Sequence, residues 1–222
     1  MPTPDHKRNL LVSLPLFIGL TRAEIQEIIS QTQFTTRRLA VGEPLAVSGE
    51  TCNSIVFLVS GTMEIVSEAA DHSYRMHESI RAPWVIEPDK LFGLRQHYNS
   101  TYLAKSKCES MTITKGEVTE MMQRYFVVQL NFLNIVCRST QLTEGAVWQQ
   151  KPKDTRGRIV QFIRQHSRYP AGEKTLHIKM RQLAHELNCS RLEVSKALNA
   201  MSDERQIVLQ RGMITIPTPE LL

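Results

Sequence analysis

Between residues 180 and 216 the hydrophobic period changes from helical to alternating, and few folds satisfy that order. Leu183, Ala184 and Leu187 form the inner face of a short helix over 180–187. Asn188 follows, a residue that tolerates the left-handed backbone of a tight turn. Ser190 then caps a second helix, with Glu193 three residues on completing a capping box. Val194, Ala197, Leu198 and Met201 recur at i, i+3, i+4 and i+7 as its inward stripe. The segments 207–209 and 213–216 flank Gln210-Arg211-Gly212 and predict a hairpin that ends at Pro217. Helix, tight turn, helix and hairpin is the order of a winged helix-turn-helix, whose second helix lies in the DNA major groove.

The inward stripe leaves Arg191, Leu192, Ser195, Lys196 and Asn199 facing out. Arginine matches the paired acceptors of guanine and asparagine the edge of adenine; leucine suits a thymine methyl. Lysine neutralises phosphate. Ser190 and the free N–H groups of the helix start are placed to hold another phosphate. Lys179 before the first helix and Arg211 in the hairpin turn extend the basic surface. The charge agrees. Residues 151–222 hold 13 Lys and Arg against 7 Asp and Glu, whereas residues 1–150 hold 14 against 15. The basic excess of this 222-residue chain therefore sits in its last third, as expected of a nucleic-acid-binding module joined to a near-neutral domain.

Other classes recede on composition. The four cysteines, Cys52, Cys108, Cys137 and Cys189, contain no CxxC pair. That argues against a disulfide scaffold, a zinc ribbon or a local iron–sulfur cluster, and suits a reducing cytoplasm. The seven histidines form no HxxxH or HExxH pair. No GxSxG, GxGxxG or P-loop is present. No apolar run reaches the roughly 18 residues that span a bilayer, and 1–20 lacks the pattern of a secretory signal, so neither membrane association nor export is expected.

Upstream, Thr21 and Glu24 predict a capped helix to residue 30, with Leu20, Ile25, Ile28 and Ile29 on one face. Short alternating runs follow at 34–41, 44–47, 53–59, 62–67, 74–79 and 84–86, punctuated by Gly42, Gly49 and Gly61. They predict a small antiparallel roll. From 115 to 148 the period is helical. Met121, Tyr125, Val128, Phe132, Ile135, Ser139, Leu142 and Ala146 follow a 4,3 spacing, a heptad seam expected to form a homodimer interface. Phe126, Leu130, Leu133 and Cys137 form a second stripe, so one stripe faces a partner helix and the other packs on the roll. A break near Arg124 is the alternative to one continuous helix. A hinge is expected at 149–153, around Pro152, and Asp154 is expected to cap the next helix.

Residues 179–201 (KMRQLAHELNCSRLEVSKALNAM) resemble the helix-turn-helix of the Crp/Fnr superfamily of bacterial transcription factors, including its CSRxxV run. LPLFIGL at 14–20 is similar to its PLFxGL opening, the three turn glycines fall where its cyclic-nucleotide-type roll has them, and Phe92-Gly93 is similar to the start of its phosphate-binding cassette. The resemblance implies an α+β fold: an antiparallel β-roll of double-stranded β-helix type over 1–114, a dimerisation helix and hinge over 115–150, and a winged helix-turn-helix over 151–222. It further implies a homodimer that binds near-palindromic double-stranded DNA and contacts RNA polymerase, with Arg191 reading guanine and Arg181 and Lys196 near DNA.

Two departures from that pattern matter. Leu192 stands where the family has Glu after the Arg, and Glu193 comes one residue later. The cassette reads Phe92-Gly93-Leu94 in place of FGE, and 98–104 contains no Arg. In the family the Glu holds the ribose hydroxyl and the Arg neutralises the cyclic phosphate. The roll is therefore expected not to bind cAMP. Phe92, Gly93, Leu94, Arg95 and Tyr102 are the candidate lining of any other effector site, and no cofactor is identified. The alternatives are a regulator of the same fold that responds to haem (through His97 or Cys108) or another small ligand, an enzyme with Cys108 as nucleophile, and a protein-interaction module whose helix-turn-helix is purely structural.

Overall fold

The structure, a computed structural model, describes residues 4–147, 152–169 and 171–222. The chain forms two compact units. The first is Met1–Met63 with Arg81–Glu144, and the second is Glu64–Ile80 with Gly145–Leu222.

The first unit opens with α1 (Pro4–Ser13) and α2 (Arg22–Gln31). Thr21 and Glu24 form the expected capping box of α2. Strands β1 (Thr35–Leu39), β2 (Pro44–Ala46) and β3 (Ser54–Ser60) follow. After β4 (Thr62–Glu68) and β5 (Tyr74–Arg81), the chain returns through β6 (Trp84–Ile86), β7 (Thr101–Ala104) and β8 (Cys108–Thr114). One antiparallel sheet has the order β1-β8-β3-β6, and β2 pairs with β7. Central β3 is buried from Ile55 to Leu58, and Phe57 packs its ring 6.1 Å from Phe17. Gly61, at φ +92°, permits the β3–β4 turn. A Cβ there would lie 2.5 Å from the Lys107 carbonyl oxygen, so only glycine fits.

Strands β7 and β8 and helix α1 lie outside the sequence expectations. β8 reads CESMTIT, and its inward positions include Ser110, fully buried with its hydroxyl on the Arg37 carbonyl. The polar residue hides the apolar alternation that marks a strand.

Helical structure from 115 is broken in two, α3 (Lys115–Arg124) and α4 (Phe126–Val147). Tyr125 between them is extended, at φ −118° and ψ 101°. Its N–H closes α3 on the Met121 carbonyl, and its own carbonyl accepts from Val128. No proline or glycine marks this break, so packing sets it. Val128 is fully buried while neighbouring Phe126 is 68% exposed.

The second unit comprises α5 (Thr155–His166), β9 (Lys174–Ile178), α6 (Met180–Leu187), α7 (Arg191–Asp203), β10 (Val208–Gln210) and β11 (Met213–Ile216). Asp154 caps α5 by accepting the Gly157 N–H at 3.1 Å. Of the expected hinge, residues 149–151 lie outside the described residues. The strands run β10-β11-β9-β5, with β4 beyond β5. Residues 64–80 thus complete this sheet, which differs from the division at 114 and 150 that the sequence suggests. The physical reason is strand addition. β9 presents a row of backbone groups, and β5 satisfies them in register from Tyr74↔Ile178 to Glu78↔Lys174. Met76 joins the apolar core formed by Phe162, Ile163, Leu176, Leu198 and Ile214. His166 Nδ1 donates to the Phe162 carbonyl at 2.8 Å, and its Nε2 shares a hydrogen bond with the Tyr74 hydroxyl at 2.9 Å.

Candidate nucleic-acid interface

Helices α6 and α7 meet at a turn built by local chemistry. Asn188 adopts φ 50° and ψ 50°, ending α6 with its N–H on the last-turn carbonyls. Ser190 is the N-cap of α7. Its side chain accepts the Glu193 N–H at 3.2 Å, and the Glu193 carboxylate accepts the Ser190 N–H at 2.8 Å. Arg158 of α5 braces the turn from behind. Its Nε donates to the Pro152 carbonyl, and Nη1 reaches the carbonyls of Leu187 and Asn188 at 3.5 and 3.4 Å and Cys189 Sγ at 3.4 Å. No periodicity argument isolates Arg158, because its role is to fill carbonyls that come together only in the folded turn.

Val194, Leu198 and Met201 are buried, and Ala197 packs against that core. The opposite face of α7 carries Arg191, Leu192, Lys196 and Asn199, all exposed, with Ser195 half-buried among them. Leu192 is 64% exposed, a large apolar residue presented to solvent at the first turn. Lys179 and Arg181 are exposed at the start of α6, and Arg211 is exposed in the β10–β11 turn beside Gly212, whose φ of +74° closes it. Among the described residues, Lys179, Arg181, Arg191, Lys196 and Arg211 form no ion pair. Arg156 by contrast is held bidentate by Glu204.

Glu193 is committed elsewhere. Hydrogen bonds from the Ser190 side chain and backbone hold its carboxyl below the ordinary carboxylate range. It points back into the cap and does not take the place of the acid that Leu192 replaces. Its negative charge also sits at the helix start, where Ser190 was expected to hold a phosphate.

The effector candidates do not converge. Leu94 is fully exposed, Gly93 and Arg95 are exposed, and Phe92 lies edge-on to Phe132 at 5.6 Å with Lys115 Nζ 4.9 Å from its ring centroid. Tyr102 is buried, and its hydroxyl donates to Glu87 Oε1 at 3.2 Å. Glu87, itself buried, also accepts the N–H groups of Asn99 at 2.8 Å and Ser100 at 3.1 Å. The chain's own carboxylate therefore occupies the backbone donors of the 99–100 segment. His97 is exposed whereas Cys108 is buried, its thiol donating to the carbonyls of Thr62 and Ser106. Among the described residues no group of three or more His, Cys, Asp or Glu is placed to hold a metal ion.

Burial divides the expected seam from the second stripe. Met121, Val128 and Phe132 are buried within their own unit, and Tyr125 and Ile135 are half-buried. The side chains of Ser139, Leu142 and Ala146 lie outside the described residues. Phe126, Leu130, Leu133 and Cys137 are the exposed stripe of α4. Asn131 fixes this orientation by donating to the carbonyls of Leu16 and Ile18, which holds the other face against the unit.

No family model and no curated protein matches the chain by sequence. Solved structures do match. The Thermus thermophilus catabolite activator protein is 18% identical, with 93% of this chain and 95% of that chain covered and a TM-score of 0.55. The sensor domain of the transcriptional regulator DNR from Pseudomonas aeruginosa is 18% identical over 68% of this chain and 97% of that one, at TM-score 0.54. The N-terminal domain of a transcriptional regulator from Streptomyces coelicolor A3(2) is 18% identical over 65% and 99%, at 0.50. No helix among the described residues is long and apolar enough to cross a membrane. The chain shares its fold with the Thermus thermophilus catabolite activator protein.

Proposed function

We propose that the protein is a sequence-specific DNA-binding transcription regulator whose α6–α7 pair and β10–β11 hairpin act as a winged helix-turn-helix. The observation that carries this reading is the outward face of α7. Arg191 and Lys196 stand exposed without an ion pair, while the nearest acid, Glu193, is tied into the cap. Uncommitted cations on a helix that follows a tight turn are the means of phosphate neutralisation and guanine recognition. Arg191 and Leu192 occupy the first turn, where base edges are reached. Ser195 and Asn199 continue that face, and Lys179, Arg181, Lys196 and Arg211 contact the backbone. With Glu193 at the cap, phosphate contacts fall to these side chains rather than to Ser190.

The protein works as a homodimer on this reading, through the exposed stripe of α4, and each subunit presents one α7. Half-sites then lie about one helical turn apart. The resemblance to the superfamily supports cytoplasmic action and contact with RNA polymerase. The roll acts without cAMP, a reading supported by the Glu87 carboxylate on the Asn99 and Ser100 donors. Burial of Cys108, with its thiol on two carbonyls, weighs against its use as a nucleophile. The test is binding selection from random duplexes with the full chain, followed by sedimentation with the selected site. Enrichment of a two-fold repeated motif bound by two chains is the expected result. Recovery of no motif at low salt overturns the reading.

A further inference from the structure

The outer face of the β5–β9 pair carries a cluster of ionisable groups that DNA recognition does not use. Arg75 of β5 is the cross-strand partner of His177 in β9. His77, two residues along β5, lies diagonally from His177 with ring centroids 4.7 Å apart. On β4, Glu64 faces His77 at 3.3 Å and Glu68 faces Arg75 at 3.4 Å. His72, between β4 and β5, takes the other Glu68 oxygen at 3.0 Å. On the far side of β9, the partner of His177 in β11 is Met213, which brings no charge.

We propose that this face is a proton-sensitive latch, in which protonation of His177, beside Arg75 and His77, loosens β5 from β9 within the second unit. Like charges placed cross-strand destabilise a pair. An imidazolium at His177 would meet the Arg75 guanidinium across the strand pair. Glu64 and Glu68 answer His77 and Arg75, but His177 has no carboxylate within ion-pair distance among the described residues.

Burial, then the neighbouring His77 and Arg75, hold His177 below the ordinary imidazole range. The sign follows. A histidine that is harder to protonate when paired leaves the pairing at full strength above its free pKa, and weakens it as pH falls through that value.

Hydrogen exchange on the full chain tests the latch independently of any DNA binding. One imidazole fully excluded from protonation raises the opening equilibrium at most about tenfold at about pH 5.5, relative to about pH 7.5. After correction for intrinsic exchange, amides of 74–81 and 174–178 should lose protection by between about twofold and about tenfold in that range, while β3 and β8 keep theirs. The variant H77Q/H177Q should hold protection at both values, and H177Q alone serves the comparison if the double variant does not fold. Equal protection of the wild-type seam at both pH values overturns the proposal. So does an equal loss in the variant, or a loss spread evenly through β3 and β8.

Discussion

Glu78 and Lys174 face each other across the β5–β9 pair, Nζ 2.8 Å from Oε1, each side chain 1% exposed. The carboxylate also accepts the N–H groups of Arg168 and Tyr169, and the ammonium donates to the Ala171 carbonyl. One buried ion pair thus ties the hairpin, strand β9 and the 168–171 turn together.

Removing one partner strands the other charge. Lys174→Met should cost about 3–5 kcal/mol, the range for a broken buried pair. The double variant Glu78→Leu/Lys174→Met should recover only part of this, because the Arg168 and Tyr169 N–H groups lose their acceptor. Denaturant unfolding followed by circular dichroism checks both, and equal stability of Lys174→Met and wild type would refute the assignment.

On DNA, Arg191→Ala should relax preference at one position in each half-site, by about 1–3 kcal/mol for a lost bidentate guanine contact. Lys196→Ala should weaken all sequences alike and reduce the salt slope by about one. Selection at two salt concentrations separates the roles. Loss of preference at one base in Lys196→Ala with none in Arg191→Ala would reverse them.

For assembly, Leu130→Asp places a charge on the exposed stripe of α4 and should yield a monomer by sedimentation. Its cost to the isolated fold should be within about 0.5 kcal/mol, as for other surface changes. Phe132→Asp should instead destabilise the first unit by about 3–5 kcal/mol, because it empties the contact with Phe92 and buries a charge. A dimer that survives Leu130→Asp while Phe132→Asp dissociates it without unfolding would restore the other stripe as the interface.

In the roll, calorimetry should detect no cAMP binding at micromolar concentrations. Glu87→Ala should cost about 1–3 kcal/mol by removing the carboxylate that accepts from the Asn99 and Ser100 N–H groups and the Tyr102 hydroxyl. Tight cAMP binding by the wild type would mean that Glu87 yields its donors to a phosphate.

Much of this arrangement is local and therefore legible in the residues. A capping box needs only Ser190 and Glu193 three apart, and the same holds for Thr21 with Glu24. Asn188 supplies the left-handed turn by its own side-chain chemistry, and the inward stripe of α7 follows from 3.6 residues per turn. These features depend on near neighbours, so the sequence alone determined the capped helices, the turn between α6 and α7, the face of α7 that is exposed, and the basic balance of the last third. Tertiary structure decided the rest. The break at Tyr125 has no proline or glycine to announce it, and which stripe of α4 is buried depends on Phe92 and the Leu16 and Ile18 carbonyls more than a hundred positions upstream of Asn131. The addition of β5 to β9 joins residues about a hundred apart, through backbone groups that every residue carries and a Glu78–Lys174 pair that reads as two surface charges until both are buried. Periodicity reports which face of an element is apolar; it is silent on what that face meets, because the partner is chosen by distant segments competing for the same surface.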